Sequence, residues 1–250
     1  MLKGILINKI LHKLGLKLSL IFERHLDKED KPFLEIYNKS RPYTMTSIER
    51  VYSLYKAVEY IVKLKVPGDM VECGVWKGGS SMAIASTLLK MNDTTRKIYL
   101  YDTYAGMSEP THKDVDFLGR LAIKEWEINQ EDDFNKWAYS ALEETKRNLF
   151  KTGYPKENLL FVKGRVEETI PKIIPDNIAL LRLDTDWYDS TYHELRYLFP
   201  RLSVNGIVII DDYDFFKGQR EAVDKYFKEN NINMLLNIID GAGRIGIKIK

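Results

Sequence analysis

Two short apolar runs end abruptly in acid: Ile178 to Leu183 runs into Asp184, and Ile207 to Ile210 runs into Asp211 and Asp212. Runs this short and this rich in Ile, Leu and Val suit strands of a sheet covered on both faces. The rest of the chain supplies the covering layers. The stretch from Thr46 to Val66 has apolar residues at helical spacing, with Thr46 and Glu49 offering a capping box, and Pro67 and Gly68 stop it. DMVECGV then reads as a first strand, SSMAIASTLLK as a helix, KIYLYDTY as a second strand, SALEETKRNLFKTG as a helix and NLLFVKG as a third strand. The two acid-tipped runs are the fourth and fifth strands, separated by helical STYHELRYLFPRL and a turn at Asn205 and Gly206. After the helix REAVDKYFKENN, the segments NMLLNII and RIGIKIK flank Asp240 to Gly243 as a terminal antiparallel hairpin. The expected fold is α/β, a mostly parallel sheet built from right-handed βαβ crossovers.

At 250 residues and 44% hydrophobic, the chain can bury a full core, and one domain with an N-terminal extension is expected. A net charge of +2, from 38 basic and 36 acidic residues, gives no long-range attraction to nucleic acid. Cys73 is the single cysteine, which excludes an intramolecular disulfide and a cysteine metal cluster and is compatible with a cytoplasmic location. Within residues 1 to 22, Leu6, Ile10, Leu11, Leu14 and Leu18 fall near helical spacing with lysines between them. This reads as a basic amphipathic helix, packed on its own domain or on a second subunit in a homo-oligomer; attachment to a membrane surface is the less favoured reading.

If the fourth and fifth strands are parallel neighbours, their ends lie about 5 Å apart. Asp184, Asp211 and Asp212 then share one divalent cation, and their hard oxygen donors favour Mg, Mn or Ca over Zn. Taken alone, such acids allow hydrolysis, phosphoryl transfer or structural metal binding. VECGVWKGGSS, between the first strand and its helix, is a nucleotide-type turn in which glycine permits close backbone approach. Asp102 ends the second strand, where an acid accepts ribose hydroxyls in Rossmann-like sites. The turn lacks the GxGxxG spacing of nicotinamide enzymes, and Glu72 brings negative charge where a pyrophosphate would sit, so a cationic ligand fits better.

The segments VECGVWKGGSS, LYDTYAGMSEPT, KGRVEETIP, LLRLDTDWYDST and GIVIIDDYDF occur in the order and spacing of the macrocin O-methyltransferase family. From about Pro42 to Phe227 the chain resembles these sugar methyltransferases of macrolide and aminocoumarin biosynthesis. The resemblance implies a Rossmann-like class I methyltransferase fold with seven strands over residues 41–250, a helical extension over 1–40, S-adenosylmethionine (SAM) as cofactor, and a bound Mg ion. It places Glu72, Gly74, Val75 and Trp76 around the methionine end of the cofactor, Asp102 on the ribose, and Gly164 and Arg165 beside the adenine. Thr44 and Met45 match a segment closing over the cofactor, and Ser140 is a further match. Asp184, Asp211 and Asp212 match the metal ligands, with Asp184 also the catalytic base.

A sugar hydroxyl is a poor nucleophile until a cation acidifies it and a base takes its proton. The acceptor is expected to be a glycoside, nucleotide sugar or polysaccharide precursor. A catechol-like phenol, a noncatalytic cofactor-binding subunit and a nicotinamide oxidoreductase are the alternatives. Asp186 and Asp189 are expected outside the chemistry, with Asp189 capping the following helix. His112, His193 and Cys73 are expected to be structural or surface residues, whereas Trp76, Trp187, Tyr188 and Tyr213 suit either packing or a site wall. Residues 105–137, polar and beside the ligand edge, read as a lid.

Overall fold

The computed structural model describes residues 30–250, so the expected N-terminal amphipathic helix lies outside the described residues. Five strands run parallel: β1 (Asp69–Cys73), β2 (Ile98–Asp102), β3 (Leu159–Lys163), β4 (Ile178–Leu183) and β5 (Leu202–Ile210). The hairpin of β6 (Asn237–Ile238) and β7 (Arg244–Ile247) adds antiparallel to β5, giving the order β3-β2-β1-β4-β5-β7-β6. As expected, β4 and β5 are parallel neighbours, with Leu183 opposite Ile210. Strand order reverses direction at β1, and the crevice between β1 and β4 is where ligands collect in open α/β sheets.

Both sheet faces are covered. On one, α1 (Lys31–Ser40), α2 (Ile48–Lys63), α3 (Gly79–Lys90) and α5 (Leu142–Phe150) bury Phe33, Val58, Ile84 and Leu149 against Met70 and Leu180. On the other, the short α6 (Val166–Thr169), α7 (Tyr188–Leu198) and α8 (Lys217–Glu229) bury Leu195 and Val223 against Val71, Leu181 and Val208. Neighbouring residues of β1 and β4 thus serve opposite cores, which explains their unbroken apolar character. The helix ending at Ser40 is part of this packing, with Phe33 fully buried. No described helix is long and apolar enough to cross a membrane.

Two local expectations need correction. The cap of α2 is Ser47, whose hydroxyl accepts from Arg50 N at 3.2 Å, one residue after the expected Thr46. Asn205 and Gly206 do not precede the fifth strand but sit within it, where Asn205 has φ +66 and the register against β4 shifts. A left-handed residue is tolerated there because it forms a bulge instead of ending the ladder. Residues 105–137, read from sequence as a lid, carry structure of their own. They contain α4 (Ala122–Asn129), and Lys217 N donates to Val115 O at 2.8 Å, tying the segment to the start of α8.

That segment also supplies the cap expected from Asp189. Asp189 is exposed, whereas fully buried Asp114 accepts from Tyr188 N at 2.8 Å and from Thr111 N at 2.6 Å. A cap 74 residues away in sequence leaves no local spacing signal. Asp114→Ala removes a buried acceptor from the first turn of α7, at a cost of about 2 kcal/mol. A melting point lower by roughly 4–8 °C is expected by calorimetry.

Candidate active site

The turn after β1 is shaped by its contact with β4. Gly74 has φ +84, and a Cβ there would stand 2.0 Å from the Asp184 carbonyl oxygen, so no side chain fits. Asp184 N in turn donates to Cys73 O at 2.8 Å, which holds the ends of β1 and β4 together beyond the strands. Val75 N and Trp76 N donate to one oxygen of Asp102 at 2.7 and 2.9 Å, and Tyr104 N donates to the other at 2.6 Å. Asp102 therefore fixes the glycine turn from beneath while still facing the cavity. Burial pushes its carboxyl up and these three amides oppose that.

A cavity of about 340 Å³ opens at this point, within the range of small-molecule sites. Thr44, Met45, Glu72, Gly74, Val75, Trp76, Asp102, Gly164 and Arg165 all line it, as do Asp184, Asp186, Asp211 and Asp212. Ser140 does not. It is buried behind the turn, its hydroxyl 3.1 Å from that of Thr145, which donates to Trp76 O.

At the centre stands a residue with no role in the sequence expectations. Arg182, on β4, has a side chain 3% exposed and lies opposite Glu72 in the register with β1. Its guanidinium reaches Glu72 at 2.6 Å, Asp184 at 2.9 Å and Asp211 at 2.8 Å. An arginine inside an apolar strand has to be paired, and three acids nearby in the fold were the available signal. Arg50, at the start of α2, reaches Asp211 at 2.6 Å, Asp212 at 3.6 Å and Asp240 at 3.0 Å. Glu72 is buried beneath this network, where Arg182 and the Ser81 hydroxyl answer its charge. Burial nevertheless raises its pKa.

The arginines divide the acids. Both oxygens of Asp211, expected among the metal ligands, face arginine. The carboxylates gathered in ligand geometry are Asp184, Asp186 and Asp212, with one oxygen of each within 4.8 Å of the others. Oxygens ligating one Mg or Ca at about 2.0–2.6 Å are separated by no more than about 5 Å, so this spacing fits. Asp186, expected to lie outside the chemistry, takes φ +66 to enter the group, and its buried Oδ1 has no hydrogen-bond partner. A non-glycine residue held left-handed beside an unanswered buried oxygen is the kind of local cost found at functional sites. Burial and mutual repulsion raise Asp184, Asp186 and Asp212 above the usual carboxylate range, although Arg182 opposes the effect at Asp184 and Arg50 at Asp186 and Asp212. A cation would relieve that repulsion.

The remaining candidates, His112, His193, Cys73, Trp187, Tyr188 and Tyr213, are not among the residues lining the cavity. His112 is exposed, His193 shares a 2.9 Å hydrogen bond with Ile170 O, and Cys73 is fully buried. Trp187 packs on Trp137 and Phe216 and donates to Ser108 O. Tyr188 stacks on Tyr192, and the hydroxyl of Tyr213 donates to Asp224.

Burial pushes the Asp240 carboxyl up, but the amides of Gly243 and Ala242, the Ser47 hydroxyl and Arg50 hold it well below its ordinary value. A lowered folded-state pKa gives stability that is present above the unfolded value of about 3.9 and lost as pH falls through the folded one. Asp240→Asn is expected to cost about 2 kcal/mol at pH 7. In melting curves taken at successive pH values, its deficit against the parent should shrink from about pH 5 downward.

The family described as Macrocin-O-methyltransferase (TylF) matches residues 22–245. An 8-demethyl-8-(2,3-dimethoxy-alpha-L-rhamnosyl)-tetracenomycin-C 4'-O-methyltransferase of Streptomyces olivaceus is 34% identical over 201 residues, covering 80% of this chain and 74% of that protein. Demethyldecarbamoylnovobiocin O-methyltransferase of Streptomyces niveus is 31% identical over 84% of this chain and 79% of its own. Among solved structures, the O-methyltransferase NovP superposes with a TM-score of 0.72 at 29% identity, covering 83% of each chain.

Proposed function

Because this chain belongs to the macrocin O-methyltransferase family and is an O-methyltransferase, we propose that it methylates a sugar hydroxyl using SAM and a Mg ion. The observation that carries this reading is a cluster of three acids, more than the arginines neutralise, opening off a glycine-turn cavity at the β1/β4 switch point. The Streptomyces olivaceus relative is named for the 4'-oxygen of a rhamnosyl compound, which supports a sugar as acceptor.

The residues fit both groups. Gly74 lets the backbone come close, Val75 and Trp76 are pre-set by Asp102, and Thr44 and Met45 line the same cavity. These residues, with Gly164 and Arg165, would hold SAM, and the acid-rich wall suits its sulfonium. For Mg, the unpartnered Asp186 Oδ1 and the hard oxygen donors meet the requirement. Asp184 and Asp212 belong both to the set expected from sequence and to the set gathered in the structure; the third ligand is Asp211 in the first and Asp186 in the second.

When bound, these groups supply an electrophilic methyl carbon and a cation that acidifies the acceptor hydroxyl. The chain's task is to orient that hydroxyl and remove its proton. Asp184 is the proton acceptor: its carboxylate ends β4 at the cavity, beside Asp186 and Asp212, where a general base must stand within reach of the acceptor hydroxyl. Arg182 fixes its second oxygen at 2.9 Å and so restricts the direction in which it can act. Arg50 and Arg182 together keep Asp211 from repelling an approaching oxygen.

Asp184→Asn should retain SAM binding in calorimetry and lose roughly 10²–10⁴-fold in turnover; near-normal turnover would remove it as base. Titration of Mg alone into the protein tests the ligand set. The geometry leads us to expect a greater loss of Mg affinity in Asp186→Asn than in Asp211→Asn, and the reverse order would restore Asp211 as third ligand.

A further inference from the structure

The turn that carries Asp184 and Asp186 is held from the protein interior. Thr185 separates the two acids, and its hydroxyl donates to Oε1 of Glu194 at 2.9 Å. Glu194 comes from α7, is completely buried and does not line the cavity. Its carboxyl also lies beside the thiol of Cys73, the residue whose carbonyl receives Asp184 N. One side chain from the second helical layer thus touches both the end of β1 and the turn after β4.

Glu194 is costly to keep there. Its Oε2 has no hydrogen-bond partner, and neither has Oγ1 of Thr191 one turn earlier on the helix. The charge acting on it is a like one, that of Glu167. Burial accordingly lifts its carboxyl well above the ordinary range, against the Thr185 hydrogen bond. An apolar side chain could occupy this core without those costs. What it would lose is the bond to Thr185.

That bond bears on both acids. The Thr185 carbonyl accepts from Trp187 N at 2.8 Å and from the Ser190 hydroxyl at 3.4 Å, so with its hydroxyl also held the residue is fixed at both ends. The backbone on either side leads directly to Asp184 and to Asp186, the latter at φ +66. The acid of the neighbouring strand is braced in a similar way: fully buried Gln219 of α8 accepts from Asp212 N at 2.9 Å. Groups that orient ligand-bearing residues from behind alter metal affinity without touching the metal.

We infer that Glu194 is a positioning residue: through the Thr185 hydroxyl it sets the turn that presents Asp184 and Asp186, and with it the affinity of the acids for a divalent cation. This rests on the reading of Asp184, Asp186 and Asp212 as a cation site.

The test is calorimetric titration of Mg alone into the full chain and its variants. Thr185→Val, which exchanges the hydroxyl for a methyl group, and Glu194→Leu should each weaken Mg binding by roughly tenfold. Glu194→Gln keeps an acceptor oxygen in place and should retain the parent affinity. Because both substitutions break one contact, Thr185→Val combined with Glu194→Leu should bind Mg no more weakly than either alone. Affinity for S-adenosylhomocysteine should stay at the parent value in both Glu194 variants, since the residue lies off the cavity. Parent-like Mg affinity in Thr185→Val, a loss in Glu194→Gln equal to that in Glu194→Leu, additive losses in the double variant, or equal losses of Mg and S-adenosylhomocysteine affinity in Glu194→Leu would each overturn the inference. If Glu194→Leu does not fold, Thr185→Val and Glu194→Gln decide it between them. A parent protein that takes up no Mg would instead remove the cation reading, and the inference with it.

Discussion

The site depends on one buried charge. Arg182 sits in the middle of the sheet, where an unpaired guanidinium would be prohibitively costly, and it is tolerated because Glu72, Asp184 and Asp211 surround it. The dependence runs both ways. Without Arg182, three carboxylates would crowd a space with little water, and the ends of β1, β4 and β5 would repel one another. An apolar residue could fill the same strand position, but it would leave Glu72 buried without a counter-charge and Asp184 without a fixed orientation. The pairing therefore serves placement more than stability, since buried ion pairs of this kind rarely exceed well-packed apolar substitutes in net energy.

Arg50 extends the network to the periphery. Through Asp240 it links the C-terminal hairpin to the start of α2, and through Asp211 and Asp212 it links both to the strand ends. Ser47 caps α2 and also donates to Asp240 at 2.7 Å, so the segment carrying Thr44 and Met45 is anchored at its far end. Residues from about 44, 182, 211 and 240 thus meet around one group of charges, which accounts for a site assembled from distant parts of the chain.

Much of the fold was legible because it rests on local patterns. The parallel β4–β5 pair, the glycine turn and the terminal hairpin each follow from a short run of residue types, and β4 spans Ile178–Leu183 as its apolar run indicates. The acids at the strand ends were legible for the same reason. What escaped detection was relational. Asp186 lies two residues beyond the strand-end acid Asp184, and its left-handed backbone accompanies its approach to Asp212. Ser140 resembles a cofactor contact in order along the chain, yet it does not line the cavity and its hydroxyl meets that of Thr145 on α5. Asp114 caps a helix it does not precede. Each depends on which elements become neighbours, and spacing along the chain carries little of that information.

The Asp114 contact has a mechanical consequence. Its carboxylate is wedged against α8, where a Cβ on Gly218 would meet it at 2.2 Å, while it holds the first amide of α7. That helix begins directly after the turn containing Asp184 and Asp186. Segment 105–137 and the turn bearing the acids are therefore fastened at one carboxylate, so the placement of Asp184 and Asp186 leans on a residue far from them in sequence.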